Sequence, residues 1–255
     1  MEARMYWLEL VVVFLFGICW GSFLALMVYR IPKEVSIIKP RSFCDSCKAG
    51  IPFYYNIPLF SYIILGGRCK YCGEKIPARY PFIELLTGIL FVVSYHSLFD
   101  DYYSLIRSLI LVTAIIPSIF IDLDNRIIPD RFSIGLIIVG FILALFDPMM
   151  TWLNSLLGIL MGGGILLLVA WVYYKLTGRE GLGGGDIKLL AGLGALLGWH
   201  TVIMVMFYSS IIGALYGVFM MIFMKKGRLT EIPFGPFIGI SAILYYFIVE
   251  GGFFN

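Results

Sequence analysis

Apolar residues in this chain come in long unbroken runs, parted by short clusters of charge, glycine and proline. The runs cover about 7–28, 82–99, 104–121, 132–147, 152–174, 187–198, 202–224 and 233–249. Most reach or approach the roughly 20 residues that a helix needs to cross the hydrocarbon of a bilayer. The pattern predicts an all-α polytopic membrane protein of about eight transmembrane helices. The sixth run is too short to span without flanking residues or local thinning of the bilayer. The first is expected to stay on the chain, since its apolar part is too long for a signal peptide and no small-residue cleavage site follows.

Composition agrees, with 60% of residues apolar and 14% charged, against about 45–50% and about 25% in soluble domains. The basic residues then orient the chain. Seventeen of the nineteen Lys and Arg, all but Arg4 and Arg107, fall in 29–81 and in every second connection after it. Arg126 and Arg131 form the next basic cluster, then Lys175, Arg179 and Lys188, then Lys225, Lys226 and Arg228. The intervening connections read Asp100-Asp101, Asp147-Pro148 and Trp199-His200. Basic loops stay on the cytosolic side, so both termini are expected on the other. This asymmetry accounts for the net charge of +3 without any nucleic-acid partner.

The long polar segment between the first two helices holds "CDSCKAGIP" and "CKYCGEKIP", two copies of Cys-x-x-Cys with Ile-Pro four residues on. Cys44, Cys47, Cys69 and Cys72 have the spacing of a zinc ribbon, in which two thiolate pairs complete a tetrahedron. Two disulfides are the rival, disfavoured in a reducing cytosol, and redox chemistry is a third reading. A site closed by four sulfurs leaves no open position, so zinc here would order the loop. Cys19, alone in the first helix, reads as a small packed hydrophobe.

Ionisable groups at membrane depth are functional candidates: Glu84, Asp122, Asp124, Asp130, Asp186 and Lys188. Asp122 is the first polar residue after a continuous apolar run, and Asp186 opens the sixth run from the same side. Topology alone brings these two carboxylates to one depth. A close pair shares a proton, so that one acts as base on water while the other donates to a carbonyl oxygen, as in an aspartic protease. Gly183, Gly184 and Gly185 carry no side chain and would let a substrate strand approach Asp186. Lys188 is expected to reach headgroups or another carboxylate. Glu84 reads equally well as an acid favoured near a helix N-terminus. A proton- or metal-coupled transporter stays open as the alternative, although acids at one edge of the bilayer fit it less well than acids at mid-depth.

The motifs resemble those of the type IV prepilin peptidases. "GGGDIK" at 183–188 is similar to their Gly-x-Gly-Asp-x-Lys signature, and "DLDNRIIPD" at 122–130 to their other aspartate segment. "GSFLALMVYRIP" at 21–32, the doubled Cys-x-x-Cys and "ARYPFIELLTG" at 78–88 resemble the amino-terminal domain of the larger members, so the likeness runs from about 17 to 199. The resemblance implies a bacterial inner-membrane enzyme that cleaves the basic leader of prepilins or pseudopilins after a glycine, at the cytosolic face. It further implies N-methylation of the new terminus with S-adenosylmethionine, and products that serve type IV pili or type II secretion. Asp122 and Asp186 are then the catalytic pair. Asp122 is preferred to Asp124 because family members with a non-acidic residue at the second position keep the first. Gly183, Gly184, Gly185 and Lys188 belong to the substrate site.

Gly21, Ser22 and Glu84 are candidates for the cofactor, and the four cysteines for zinc. The family often has Asn where Ala25 stands, and no Rossmann-type glycine motif marks a methyl-donor site. The expected division is 1–28 as first helix, 29–81 as the zinc-ordered loop of a methylation module, and 82–255 as a seven-helix peptidase. Prepilin substrates and the bilayer are the expected partners, and a homodimer stays open.

Overall fold

The computed structural model describes residues 2–179, 181, 183–223 and 232–250. The regular secondary structure among them is all helical, with no strand beyond two isolated bridges, and most of 31–78 is irregular. All eight apolar runs are helices, and five are long and apolar enough to cross a membrane: Tyr6–Arg30, Arg79–Leu98, Tyr102–Asn125, Trp152–Thr177 and Trp199–Phe223. The other three are shorter. The basic cluster Lys225, Lys226 and Arg228 lies outside the described residues.

The chain divides into two compact units, Met1–Phe99 and Asp100–Asn255. The helix at 79–98 therefore belongs with the first unit, although hydropathy places it at the head of the peptidase portion. In that unit α1 (Glu2–Arg30) packs along α3 (Arg79–Leu98), with the short helix α2 (Phe60–Ile64) between them in sequence. Glycines allow the approach: a Cβ on Gly17 would lie 2.8 Å from Gly88 Cα, and one on Gly21 2.8 Å from Glu84 Cα. Arg30, which the charge pattern counts as a loop residue, is 3% exposed at the end of α1. Its guanidinium donates to the carbonyls of Ser36 (2.7 Å), Pro40 (2.7 Å) and Arg41 (3.3 Å), pinning the chain to the helix as it leaves. Cys19 is exposed on the side of α1, not packed in the core, because the face of α1 turned to α3 is taken by Gly17, Ile18 and Gly21.

In the second unit α4 (Tyr102–Asn125) is capped by Asp101, whose Oδ1 accepts from the amides of Tyr103 and Ser104. It stops at Arg126, which adopts a left-handed conformation (φ 56°). The helices α5 (Asp130–Phe146), α6 (Trp152–Ile159), α7 (Ile165–Thr177), α8 (Gly184–Leu197), α9 (Trp199–Phe223) and α10 (Gly235–Tyr245) follow. A π-helical turn, Leu160–Gly164, joins α6 to α7 into one long element. The short sixth run is α8, and it is the hub: α4, α5, α6, α9 and α10 all pack on it, and Leu189 to Leu197 are buried without exception. A helix apolar on every side belongs in a core, so α8 needs no lipid-spanning length. Glycine admits α6 especially closely, since a Cβ on either Gly158 or Gly194 would lie 2.0 Å from the other's carbonyl oxygen. Such small-residue crossings are how bilayer helices reach close packing.

Candidate active site and metal centre

Asp122 sits in the last turn of α4, 5% exposed, whereas Asp124 two residues on faces outward. Its Oδ2 accepts a 2.9 Å hydrogen bond from the backbone N–H of Gly235, the first residue of α10. An amide at a helix N-terminus is unpaired within its own helix and favours a negative group. Asp186 lies in the first turn of α8, half-buried, close enough to Asp122 for their charges to interact. Ile128 wedges between the two segments. A Cβ on Gly185, beside Asp186, would stand 3.0 Å from Ile128 Cβ, and one on Gly235 would stand 3.1 Å from Ile128 Cδ1. Ile128 thus packs on the starts of α8 and α10 at once, beside Asp186 and beside the amide that holds Asp122.

The three glycines before Asp186 differ in their surroundings. A Cβ on Gly183 would meet Asp186 Oδ2 at 3.0 Å and press that carboxylate aside. Gly184 has open space around it, while Gly185 is filled by Ile128. Lys188 pairs with Asp130, Nζ donating to Oδ1 at 2.7 Å, with the two side chains 45% and 57% exposed. This ties the starts of α8 and α5 together; exposed ion pairs contribute about 0–1 kcal/mol, so the pair orients more than it stabilises.

Gly235 is the member of this constellation that sequence reasoning missed. Gly235-x3-Gly239 reads as a packing ridge, and Gly239 does pack on Ile119 and Ile115. Gly235 instead faces Asp122. The available signal was the glycine-proline start of an apolar helix, which marks an N-terminus but not what lies opposite.

In the first unit the two cysteine motifs fold as matched knuckles. In one, Cys44 N–H donates to Ala49 O and Lys48 N–H to Cys44 O; in the other, Cys69 N–H donates to Glu74 O and Gly73 N–H to Cys69 O. Each is closed by a bridge, Phe43 with Gly50 and Arg68 with Lys75. The four Sγ atoms lie within 4.8 Å of one another, Cys44 and Cys72 at 3.8 Å, and none is in a disulfide. Four thiolates at about 2.3 Å from one tetrahedral zinc ion stand about 3.8 Å apart, so the cluster fits that metal.

The amides of Cys72 and Tyr71 hold the Cys69 thiol down at about 7. The Glu74 amide draws Cys72 the same way, but partial desolvation and the adjoining Cys47, Cys69 and Cys44 sulfurs outweigh it and push Cys72 up to about 12. Four thiols this close cannot all ionise without a cation among them.

Gly21, Ser22 and Glu84 also come together. Glu84 is 8% exposed, its Oε2 accepts from Leu59 N–H at 2.7 Å, and Ser22 is hydrogen-bonded to the same carboxylate across the α1–α3 contact.

Five helices long and apolar enough to cross a membrane, two aspartates on neighbouring helix ends and a four-sulfur cluster define a membrane protein with a paired-carboxylate site and a candidate metal centre. Comparison with known sequences gives the family. Residues 15–98 match the bacterial peptidase A24 N-terminal domain, and residues 108–218 match the type IV leader peptidase family. A protein of Aeromonas salmonicida (strain A449) named prepilin leader peptidase/N-methyltransferase is 34% identical over 92% of this chain and 89% of its own. Proteins of the same name from Legionella pneumophila (34% identical, 94% of this chain, 92% of the relative) and Myxococcus xanthus (strain DK1622) (39%, 85% and 65%) are similarly related. No solved structure matches. The chain belongs to the type IV leader peptidase family and is an enzyme. The transporter alternative finds no support in these relationships.

Proposed function

We propose that this chain cleaves the leader of prepilins or pseudopilins with Asp122 and Asp186, and N-methylates the residue so exposed. The observation that carries the proteolytic half is the convergence of the two carboxylates: Asp122 buried and held by the Gly235 amide, and Asp186 on the adjoining helix end, with Ile128 packed between Gly185 and Gly235. The pair shares one proton. The ionised carboxylate takes a proton from water, and the water oxygen attacks the scissile carbonyl carbon. The protonated partner gives its proton to the carbonyl oxygen. Collapse of the tetrahedral species breaks the C–N bond, and the departing amine takes up a proton from the pair.

Gly183 and Gly184 leave backbone open for an extended substrate strand, with Gly185 packed beneath them and Lys188 held at the rim by Asp130. A basic leader ahead of an apolar helix would present its cut site, after glycine, at the cytosolic surface. In this reading α5, α8 and α10 complete eight membrane-embedded helices, and both termini face the periplasm of a bacterial inner membrane. Met1–Phe99 serves methylation and Asp100–Asn255 proteolysis. Zinc on Cys44, Cys47, Cys69 and Cys72 orders the first unit. S-adenosylmethionine, which supplies a methyl group carried on a sulfonium, is held near Gly21, Ser22 and Glu84.

Co-expression with a prepilin, read by intact mass, tests this. Wild type should remove the leader and add a methyl group, Asp122→Asn and Asp186→Asn should leave the prepilin intact, and Asp124→Asn should cleave at close to the wild-type rate. Cleavage by Asp122→Asn but not by Asp124→Asn would overturn the assignment.

A further inference from the structure

The first unit holds an open cavity of about 560 Å³, within the size range of sites for small organic ligands. Its wall carries aromatic rings, Phe23, Tyr62 and Tyr80 among them, together with the Glu84 carboxylate and two of the clustered cysteines, Cys44 and Cys69. The lysines on its border, Lys70 and Lys75, are exposed to solvent, and the buried Arg30 is already committed to backbone carbonyls. Glu84 is the buried acid of this cavity, and among the described residues no ion pair of its carboxylate is seen. Its hydrogen bonds come from neutral donors, the Leu59 amide and Ser22. A buried carboxylate held only by neutral groups is costly, and aromatic faces beside it attract cations.

The backbone at Leu59 bears on the same carboxylate. Leu59 has φ 61° and ψ −51°, and Phe60 N–H bonds Pro58 O across it at 2.7 Å, a γ-turn of the rare, strained hand. Strain of this kind gathers at ligand sites, where the surroundings enforce it. Here the enforcing contact is the 2.7 Å bond from the Leu59 amide to Glu84.

We propose that this cavity is the seat of S-adenosylmethionine, with the Glu84 carboxylate and the surrounding rings set against its positive sulfonium. The proposal rests on the methyltransferase reading and gives that reading a place. Gly21 contributes by admitting α3 close to α1, which buries Glu84, and Ser22 by fixing the carboxylate. The cysteine cluster contributes wall, so metal and methyl-donor site form one structure.

Glu84→Gln separates charge from architecture, because its amide oxygen still accepts from Leu59 while the charge is gone. The test is direct binding of S-adenosylmethionine and of S-adenosylhomocysteine, which lacks the sulfonium charge, to the full-length protein in detergent. Glu84→Gln should bind S-adenosylmethionine about tenfold or more weakly, the scale of a charge-assisted contact. It should bind S-adenosylhomocysteine within about twofold of wild type, because the lost contact belongs to the sulfonium. Zinc content and leader cleavage should match wild type, showing that the variant folds. Unchanged binding of the methyl donor, or an equal loss for both ligands, overturns the proposal. Wild type that binds neither ligand and adds no methyl mass would instead defeat the methyltransferase reading itself.

Discussion

A methyl group at position 235 would lie 2.8 Å from Asp122 Oδ2 and 3.1 Å from Ile128 Cδ1, and both neighbours are buried. Gly235→Ala must therefore displace the carboxylate, or lengthen the bond from the Gly235 amide, or both. Misplacement of a catalytic group by about 1 Å can cost on the order of 100-fold. Leader cleavage by Gly235→Ala should fall on the order of 10- to 100-fold, measured as kcat on a purified prepilin, with thermal unfolding in detergent near that of wild type. A rate equal to wild type would show that Asp122 does not depend on this contact.

The aspartates themselves are legible in the sequence because a carboxylate at the end of an apolar run is costly and so conspicuous. Gly235 is not, since its partner stands 113 positions away and a glycine looks the same whether it faces a ridge or a carboxylate. Arg30 is illegible for a related reason. Charge counting assigns it a side of the membrane, while the carbonyls that bury its guanidinium come from an irregular segment whose path no periodicity reveals.

Among the elements, the paired knuckles were the most legible. Cysteine spacing and the repeated Ile-Pro both survive into the structure as equivalent turns, with Lys48 and Gly73 at matching positive-φ corners (57° and 72°). Their chemistry gives a pH prediction. Zinc must displace the proton from Cys72, whose thiol its neighbours push up to about 12, whereas the amides of Cys72 and Tyr71 hold Cys69 down at about 7. Metal binding to thiols releases protons. Zinc affinity should therefore rise with pH, gaining about tenfold per unit for each proton released, and the slope should steepen below pH 7 where Cys69 also becomes protonated. Competition with a chromophoric chelator from pH 6 to 8.5 measures it. Cys72→Ser should lose most of the bound zinc and the methyl transfer while retaining cleavage.

Helix α8 was legible only as an apolar run. Lipid and protein interior are alike apolar, so hydropathy cannot tell a buried hub from a lipid-facing span. Its glycines and alanines are what distinguish it, and they acquire meaning only against their partners, Gly158 of α6 and Ser133, Leu136 and Gly140 of α5.

At the scale of the whole molecule, the division at Phe99 and Asp100 coincides with the gap between the two family matches, 15–98 and 108–218. Hydropathy placed the boundary at 81, because all spanning helices look equivalent in composition, whereas the glycines of α1 and α3 bind 79–98 into the first unit. Each unit holds its own candidate groups: the cysteine cluster, the cavity and Glu84 in one, the two aspartates and Gly235 in the other. If the two reactions are carried out by separate units, one on a peptide bond and one on a free amine, a lesion in one unit should leave the other reaction intact. Asp186→Asn should methylate a pilin supplied without its leader, and Glu84→Gln should cleave a prepilin without methylating it. Mixing the two purified variants in one micellar solution should then yield fully processed, methylated pilin, at a rate that rises with the concentration of the second variant. The measurement is intact mass over time. Cleaved but unmethylated product persisting in the mixture, with wild type completing both steps, would mean that the pilin is not released between reactions.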